Sequence, residues 1–207
     1  MSIKRYVATK DTTITNAFKS NLETRGTGSN MGLSDISEVF SIYAQASTSS
    51  IEKARILTQF STANIQADRA SEAIPASGSV DFYLRLYNAK HAFTVPKEMT
   101  LVVHAVSRSW QEGTGLDMEE YSDVGYANWV AAVSESSGIV NWTTEGGDFH
   151  TASYVPGVTL PFYSQTLPKG TEDLEVNVTS LVEEWLNVLN PLQENGVGVF
   201  LTSSQEN

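Results

Sequence analysis

The dominant pattern along this chain is the alternation of apolar and polar positions, which is typical of β-strands with one buried face. It is clearest in SVDFYLRLYNAK, where two sets of four side chains fall on opposite faces: Val80, Phe82, Leu84 and Leu86 against Asp81, Tyr83, Arg85 and Tyr87. Shorter runs predict further strands at 38–46, 54–62, 101–110, 174–178 and 197–201. Turn-forming segments such as PASGS, EGGD and LPKGTED separate the runs, so we predict an all-β sandwich or barrel.

One segment, TSLVEEWLNVLNP, departs from this alternation and follows a helical period. Its apolar residues recur at three- and four-residue spacings: Leu181, Val182, Trp185, Leu186 and Leu189. Ser180 and Glu183 have the spacing of a capping box, and Pro191 stops the run. We therefore predict one short helix near the C-terminal end of the chain, closing one end of the sandwich.

The length and composition fit a single domain spanning residues 1–207. With 41% hydrophobic residues the chain can build a core, and no internal repeat or low-complexity linker marks a boundary. The absence of cysteine excludes disulfides and thiolate metal sites. The start MSIKRYVATKD has no apolar signal-peptide core, and no run approaches the roughly 18 apolar residues of a membrane span. We expect a soluble protein without an export signal and without a membrane partner.

The net charge of −11 argues against general nucleic-acid binding, which needs cations to neutralise phosphates. Residues 1–108 hold 12 Lys and Arg against nine acids, a net of +3, whereas residues 109–207 hold only Lys169 against 15 acids, a net of −14. Such asymmetry fits a polar molecule that joins copies or partners through opposite faces. It fits equally well a sandwich in which strands from both halves interleave and the charges mix in space.

The stretch SWQEGTGLDMEEYSD, residues 109–123, holds five carboxylates and no cation: Glu112, Asp117, Glu119, Glu120 and Asp123. Asp117, Glu119 and Asp123 loosely resemble the alternating acids of a calcium loop, but they do not match the EF-hand pattern. Paired carboxylates also serve glycosidases, which need a sugar-lined cleft that no linear spacing predicts. A charge run is more often a solvated loop, so we predict largely exposed carboxylates and no tightly held metal.

Two other segments are candidates for chemistry. The glycines of GTGSNMG, residues 26–32, are spaced unlike a dinucleotide fingerprint and follow no buried strand, so we interpret this segment as a flexible loop. Asp148 and His150 could share a face and serve a metal or a proton transfer, but no third ligand or nucleophile lies nearby in the sequence. His104 alternates with valines, which is typical of a structural histidine. We therefore predict no catalytic residue, no cofactor and no enzymatic activity.

Tryptophan side chains are the usual platforms for sugar rings, so their surroundings matter for function. The chain has four: Trp110, Trp129, Trp142 and Trp185. Each stands beside apolar neighbours in the sequence, and we predict that all four pack in the core.

Several segments together resemble the DNRLRE (disaggregatase-related repeat) domain. They are ARILTQFS, VDFYLRLYNA, SWQEGTG, NWVAA, NWTTEGGDF, LEVNVTSLVEEWL and NGVGVFLTSSQEN, in that order. The resemblance runs from about Arg55 to Phe200, and its most specific parts are Trp110–Gly115 and Val178–Trp185. It implies a jelly-roll β-sandwich. Some members of the family are carbohydrate-binding modules attached to polysaccharide-active proteins.

The N-terminal third is similar to virion structural proteins of marine contractile-tailed phages, which carry this jelly roll. The similarity rests on IKRYVATKDTTITNAF, RGTGSNMGLSDISEVFSIYAQAS and IPASGSVDFYLRLYNAKHAFTVPK. It implies a structural role in the virion, near the head, neck or tail, with assembly in the host cytoplasm. The expected partners are other virion proteins, in a homo-oligomer or symmetric assembly, with a glycan as the alternative ligand.

This resemblance also predicts where the contacts would form. Edge strands, the exposed aromatic residues Tyr83 and Tyr87, and acidic loops set against basic patches are the expected interface chemistry. Proteins of this kind typically continue beyond the LTSSQE strand, so we expect a chain truncated at its C-terminal end, after Asn207. A jelly roll without its last strands would leave an open edge that a partner subunit could fill.

Overall fold

The computed structural model describes residues 3–90, 96–122, 125–135, 138–150, 162–187 and 193–206. Within them the chain forms ten strands and two short helices. The strands are β1 Ala8–Thr15, β2 Phe40–Tyr43, β3 Ile51–Phe60, β4 Tyr83–Leu86, β5 Met99–Ala105, β6 Ala131–Glu135, β7 Gly138–Asn141, β8 Tyr163–Leu167, β9 Leu174–Asn177 and β10 Val197–Leu201. The helices are α1 Thr62–Ala70 and α2 Thr179–Leu186.

Six strands form one antiparallel sheet in the order β1–β3–β10–β5–β8, and β2 also pairs with β3. Because Ala54 in β3 pairs with both Thr15 of β1 and Phe40 of β2, β1 and β2 lie on opposite sides of β3. β10 pairs with β3 at Ile56–Thr58, on the same side as β2. The central strand is therefore long enough to hold two short strands end to end along one side.

Both faces of this sheet are covered, because successive residues of a strand point to opposite faces. Ile56 belongs to one core, with residues of β4, β9, α1 and α2, while Leu57 belongs to a second core, with residues of β6 and the tryptophan-rich loops. The ribbon β4–β9 covers the first face, and the hairpin β6–β7 contributes to the cover of the second. The predicted all-β sandwich is confirmed.

A side chain joins the ribbon β4–β9 to the edge of the main sheet. The amide of Gln165 in β8 donates to the carbonyl of Asp173 at 3.1 Å and accepts from the N–H of Glu175 at 2.7 Å. Further along the same edge, the hydroxyl oxygens of Tyr163 and Ser180 are 2.8 Å apart. The two layers are thus fixed to one another at this corner without a continuous backbone ladder.

The predicted helix near the C-terminal end is confirmed as α2, but its predicted capping box is wrong. The carboxylate of Glu183 does not cap the helix; it accepts two bonds, of 2.6 and 3.0 Å, from Arg69 of α1. The first helical N–H, that of Thr179, is bonded instead by the side chain of Asn177 at 3.0 Å. Pro191 lies outside the described residues.

A second helix, α1, was not predicted. The sequence predicts a strand over 54–62, but the strand β3 ends at Phe60. Ser61 follows it and precedes the helix. Only one helical residue, Ile65, is buried, so the segment lacks the apolar stripe by which a helix is recognised in a sequence. Its position depends on contacts with α2, such as the Arg69–Glu183 ion pair, which join distant parts of the chain.

The charge asymmetry of the sequence does not persist in space, because strands from the two halves interleave. Several ion pairs join a cation of the first half to an acid of the second: Lys53 and Arg55 with Glu206, Arg69 with Glu183, Arg85 with Asp173 and Glu175, and Arg108 with Asp148. The interleaved sandwich was one of the two interpretations of the sequence, and it is confirmed. No helix in the described part of the chain has the length and apolarity to cross a membrane.

Candidate functional site

The outer face of the ribbon β4–β9 presents two exposed aromatic rings. Leu84 lies in the first core, whereas Tyr83 and Tyr87 are 57% and 65% exposed. The alternation of the sequence places them on the same side as Arg85, which is also exposed. Large aromatic side chains so exposed at alternating positions are the strongest surface candidate for binding, because tyrosine is enriched at interfaces.

Arg85 is held in place between the two tyrosines. Its guanidinium lies 3.4 Å from Asp173 and 3.4 Å from Glu175, and 5.0 Å from the centre of the Tyr87 ring. In the ladder Arg85 pairs with Glu175, and Tyr83 pairs with Asn177. The face therefore combines two rings, an oriented cation and exposed polar groups on a short antiparallel ribbon.

The end of the ribbon is fixed by Asn88. Its backbone N–H donates to the Asp173 carboxylate at 3.0 Å, and its side-chain amide donates to the Gly170 carbonyl at 3.1 Å. Asp173 thus contacts both Arg85 and the backbone of Asn88, and Arg85 in turn lies over the Tyr87 ring. The sequence pointed to Tyr83 and Tyr87, but it did not indicate Asp173, Glu175 or Asn88.

Two glycine-rich segments, GTGSNMG and EGTG, are brought together by Asn30, which is completely buried. Its side-chain nitrogen donates to the carbonyls of Glu112 at 2.7 Å and Ala127 at 2.9 Å. Its side-chain oxygen accepts from the N–H of Gly115 at 2.8 Å and of Gly32 at 3.2 Å. The interpretation of GTGSNMG as a flexible loop is therefore corrected, because its second half is buried and hydrogen-bonded.

The glycines of these segments are needed for the close approach. A Cβ atom on Gly113, which has φ +82°, would lie 2.4 Å from the Asn30 side chain. A Cβ on Gly32 or on Gly115 would lie within 2.2 Å of a carbonyl oxygen, that of Glu112 or of Asn30. These glycines allow the close packing of the two loops.

The acidic stretch follows this junction as an exposed loop. Asp117, Glu119 and Glu120 are exposed, whereas Glu112 is half-buried. Three of the carboxylates accept backbone N–H groups. Asp117 accepts from the N–H of Glu119 and Glu120, and Glu119 accepts from the N–H of Ser20 at 2.6 Å. Glu112 accepts from the N–H of Asp11 at 2.8 Å.

The predicted exposure therefore holds for Asp117, Glu119 and Glu120. Asp123 lies outside the described residues. Among the residues that the structure describes, no group of three His, Asp or Glu side chains could hold a metal ion. Asp117 accepts bonds within the loop, whereas Glu112 and Glu119 accept bonds from distant backbone N–H groups, so these three carboxylates have a structural use.

The surroundings of the candidate pair, Asp148 and His150, are those of residues that stabilise the fold. The Asp148 carboxylate accepts from the N–H of Thr143 at 2.9 Å and of Thr144 at 3.0 Å, and it lies 3.1 Å from Arg108. His150 is buried, and its burial lowers the pKa of the imidazole. Three partners thus hold the carboxylate in a turn, which favours a role in folding over a role in catalysis.

His104 lies within a row of stacked rings. Its ring centre is 5.3 Å from that of Phe200 and 5.7 Å from that of Phe162, with interplanar angles of 16° and 12°. Its Nδ1 lies 3.2 Å from the carbonyl oxygen of His150. Burial lowers the pKa of His104, and the nearby Arg55 adds to this effect while the hydrogen bond opposes it. The predicted structural role of this histidine agrees with these contacts.

Three tryptophans pack in the second core, as predicted: Trp110, Trp129 and Trp142 are 5% exposed or less. Their polar atoms are also satisfied, since the Trp110 indole donates to Asn195 and the Trp142 indole to Asn128, both at 2.8 Å. Trp185 is half-buried against the first core. The most exposed aromatic residues of the described part of the chain are therefore tyrosines and Phe162, and not tryptophans.

A groove of about 550 Å³ lies between the N-terminal segment and α1. In it Asp68 accepts from the Tyr6 hydroxyl at 2.7 Å and pairs with the Lys4 ammonium at 2.6 Å. Burial and the Asp68 carboxylate raise the pKa of Tyr6 to about 12, while the Lys4 and Tyr6 donors lower the pKa of Asp68. This network fixes the N-terminal segment to the helix.

The described architecture is that of an antiparallel β-sandwich with exposed tyrosines on an outer ribbon. No family model matches the sequence, and comparisons with curated proteins and with solved structures found no match. The kinship with the DNRLRE domain therefore stays a prediction from the sequence. Function has to be argued from the surface of this sandwich and from that resemblance.

Proposed function

We propose that this protein is a non-enzymatic structural component of a contractile-tailed phage particle, acting through protein–protein interfaces at the head, neck or tail. The resemblance of the N-terminal third to virion proteins motivates the choice of particle. The observation that carries the choice of mechanism is the outer face of the ribbon β4–β9, with Tyr83 and Tyr87 more than half exposed beside a fixed Arg85.

This face has the composition of an interface core. Tyrosine and arginine are enriched at protein interfaces and among the residues that dominate binding energy. Arg85 is already paired with Asp173 and Glu175, so covering it does not leave an unpaired charge. The ribbon is fixed to the main sheet through Gln165, so a partner that docks on it meets a rigid surface.

The test is incorporation into particles. Phage carrying Tyr83→Ser and Tyr87→Ser would be purified, and the copy number of this protein per particle measured by quantitative mass spectrometry. We expect a fixed copy number in wild-type particles and a loss of at least about tenfold in the double variant, as for the removal of two interface aromatics. A protein absent from purified wild-type particles would refute the proposal.

A matched control removes another exposed tyrosine ring. Tyr43 is 64% exposed on β2, away from the ribbon, so Tyr43→Ser should leave incorporation unchanged. Equal thermal unfolding of the purified variants would show that lost incorporation does not result from lost folding.

Glycan binding is the second candidate function, and the same face favours it. Two exposed tyrosine rings lie beside carboxylate and amide groups of Asp173, Glu175 and Asn177, which can bond sugar hydroxyls while a ring stacks on the sugar. A glycan array with the isolated protein tests it. Binding that is lost in the Tyr83→Ser and Tyr87→Ser variant would favour this function over the structural one, and binding that persists there would place the sugar elsewhere.

A further inference from the structure

We propose that the peptide between Asn195 and Gly196 is a site of self-catalysed deamidation, in which the Glu194 carboxylate is the base and the folded structure promotes the reaction. These three residues directly precede strand β10. The Asn195 side chain is converted to an aspartate or an isoaspartate, and ammonia is released. The inference concerns chemistry within one chain and does not depend on whether the chain belongs to a particle.

Asn195 and Gly196 form the only Asn-Gly pair in the sequence. Because glycine has no Cβ to shield its amide nitrogen, that nitrogen is open to attack the side chain of a preceding asparagine. The fold requires the glycine, since Gly196 has φ +84° and a Cβ atom on it would collide with the carbonyl oxygen of Thr58 in β3. The reactive pair is therefore built into the approach of β10 to β3.

Two side-chain atoms beside this peptide are buried and have no hydrogen-bond partner among the described residues. They are Nδ2 of Asn195 and Oε1 of Glu194, and Asn195 as a whole is only 6% exposed. A buried polar group without a partner costs stability, so each one calls for an explanation. The reaction uses both atoms, since it needs a leaving amide that nothing holds and a carboxylate oxygen that is free to accept a proton.

The base is the Glu194 carboxylate. Its second oxygen, Oε2, accepts from the side-chain amide of Gln59 at 3.0 Å, which fixes the side chain. The backbone N–H groups of Phe60 and Gly196 face the carboxylate. Burial raises the pKa of Glu194, while Gln59, these N–H groups and the charge of Lys10 lower it. A carboxylate with a raised pKa is a stronger base than an exposed one.

The carbonyl oxygen of the same peptide is bound by Trp110. The indole N–H of Trp110, a residue 2% exposed, donates to the Asn195 carbonyl oxygen at 2.8 Å. When the Gly196 nitrogen loses its proton, the negative charge spreads to this oxygen. A buried donor already aimed at an oxygen that gains charge stabilises the anion, as the donors of an oxyanion hole do. The Lys10 ammonium, 5.7 Å from the centre of the Trp110 ring, adds positive charge nearby.

The reaction balances with water as its co-reactant. Glu194 takes the proton of the Gly196 N–H, and the nitrogen attacks Cγ of Asn195 to form a cyclic succinimide. The bond from Cγ to Nδ2 breaks, and Nδ2 leaves as ammonia with the proton that Glu194 returns. Water then opens the ring. Attack at Cγ gives aspartate, and attack at the backbone carbonyl carbon gives isoaspartate, in which the main chain runs through Cγ.

The products weaken the entry to β10. Each of them places a carboxylate beside Glu194 in a buried position, where two like charges are unfavourable, and isoaspartate also lengthens the backbone before Val197. Since β10 lies between β3 and β5 in the main sheet, the change acts at the centre of that sheet. Deamidation would therefore limit the lifetime of the folded chain.

Peptide mapping by mass spectrometry measures the reaction, because the product carries OH in place of NH2 and the succinimide lacks ammonia. The purified chain is incubated at neutral pH in two states, folded and unfolded in guanidinium chloride. We expect Asn195 to react faster in the folded chain, since only the fold holds Glu194 and Trp110 against the peptide. A folded chain that reacts no faster than the unfolded chain would overturn the proposal.

Glu194→Gln keeps the size of the side chain and removes the base. It should lower the rate in the folded chain by at least about tenfold and leave the rate in the unfolded chain unchanged. Glu145→Gln, the same change at an exposed site, should alter neither rate. An unchanged folded-state rate in Glu194→Gln, with thermal unfolding like that of the natural chain, would exclude Glu194 as the base.

The pH profile of the natural chain gives a readout that needs no variant. In the unfolded chain hydroxide is the base, so the rate should rise about tenfold per pH unit. In the folded chain the carboxylate is the base, so the rate should change little with pH once Glu194 is ionised. Parallel profiles of the two states would overturn the proposal even if Glu194→Gln failed to fold.

Discussion

Arg55 and Glu206, which lie 151 residues apart in the sequence, form a bidentate ion pair inside the protein. The distances are 2.9 Å from Nε to Oε1 and 2.5 Å from Nη2 to Oε2. The guanidinium also donates to the Gly146 carbonyl and lies over the rings of Trp129 and Phe200. The pair connects the central strand β3 to the residues that follow β10.

Glu206→Gln should lower the free energy of unfolding by about 3 kcal/mol, because it leaves the buried Arg55 charge without its carboxylate. The side chains are only 15% and 7% exposed, so water cannot replace the lost partner. Urea unfolding followed by circular dichroism measures the change. Glu175→Gln, the same change in an ion pair that is about half exposed, should cost less than about 1 kcal/mol.

Asn30→Ala should lower the free energy of unfolding by about 3 kcal/mol. It removes four hydrogen bonds and leaves buried carbonyl and N–H groups of the two glycine-rich loops without partners. Asn21→Ala is the control, since Asn21 also bonds neighbouring groups but is exposed. Equal effects of the two substitutions on the denaturation midpoint would contradict a special role for burial.

Acid should destabilise the protein through the half-buried His104 and the buried His150. Burial lowers the pKa of His104 below 6.5, so the unfolded chain binds the proton first. The contribution of this group is therefore constant above pH 6.5, and stability falls as the pH drops from 6.5 towards the folded-state pKa. The limiting slope is about 1.4 kcal/mol per pH unit. His104→Phe keeps a ring in the stack and should reduce this slope in urea titrations; an unchanged slope would exclude the contribution of His104.

In an alkaline titration the Tyr6 phenol should lose its proton at a higher pH than the exposed tyrosines. Its pKa is raised to about 12, so the folded state holds the phenolic proton at a pH where the unfolded chain, with a pKa near 10, has lost it. The stability that Tyr6 contributes is complete below pH 10 and is lost as the pH rises through about 12. Burial also raises the pKa of Tyr163, so ultraviolet titration should show late phenols of which only that of Tyr6 moves towards 10 in Asp68→Asn. A late phenol unaffected by that change would have to be assigned to another residue.

The local sequence pattern was enough to predict the elements whose conformation depends on a few consecutive residues. The alternation around Leu84 placed the leucines in the core and Tyr83 and Tyr87 at the surface, because the pleat of a strand sends successive side chains to opposite faces. The three- and four-residue spacing of Leu181, Val182, Trp185, Leu186 and Leu189 predicted α2, since helical geometry gathers such residues on one face. These are properties of a few consecutive residues.

The candidate face could be predicted only in part. Its tyrosines follow from alternation, but Asp173 and Glu175 reach Arg85 through a strand pairing across about ninety residues. Likewise, both glycine-rich segments were visible in the sequence, yet the buried Asn30 that joins them was not. No local signal specifies which distant backbone groups a buried amide will bond.

The sequence by itself therefore determined a strand-rich, cysteine-free and acidic chain, the inward and outward sides of its clearest strand, and one amphipathic helix. Only the tertiary structure decided which strands are neighbours, that the two charge-separated halves interleave, that Glu183 pairs with Arg69 and does not cap α2, and that Glu206 neutralises Arg55. The physical reason is that periodicity depends on backbone geometry within a segment, whereas pairing depends on contacts between segments far apart in the chain.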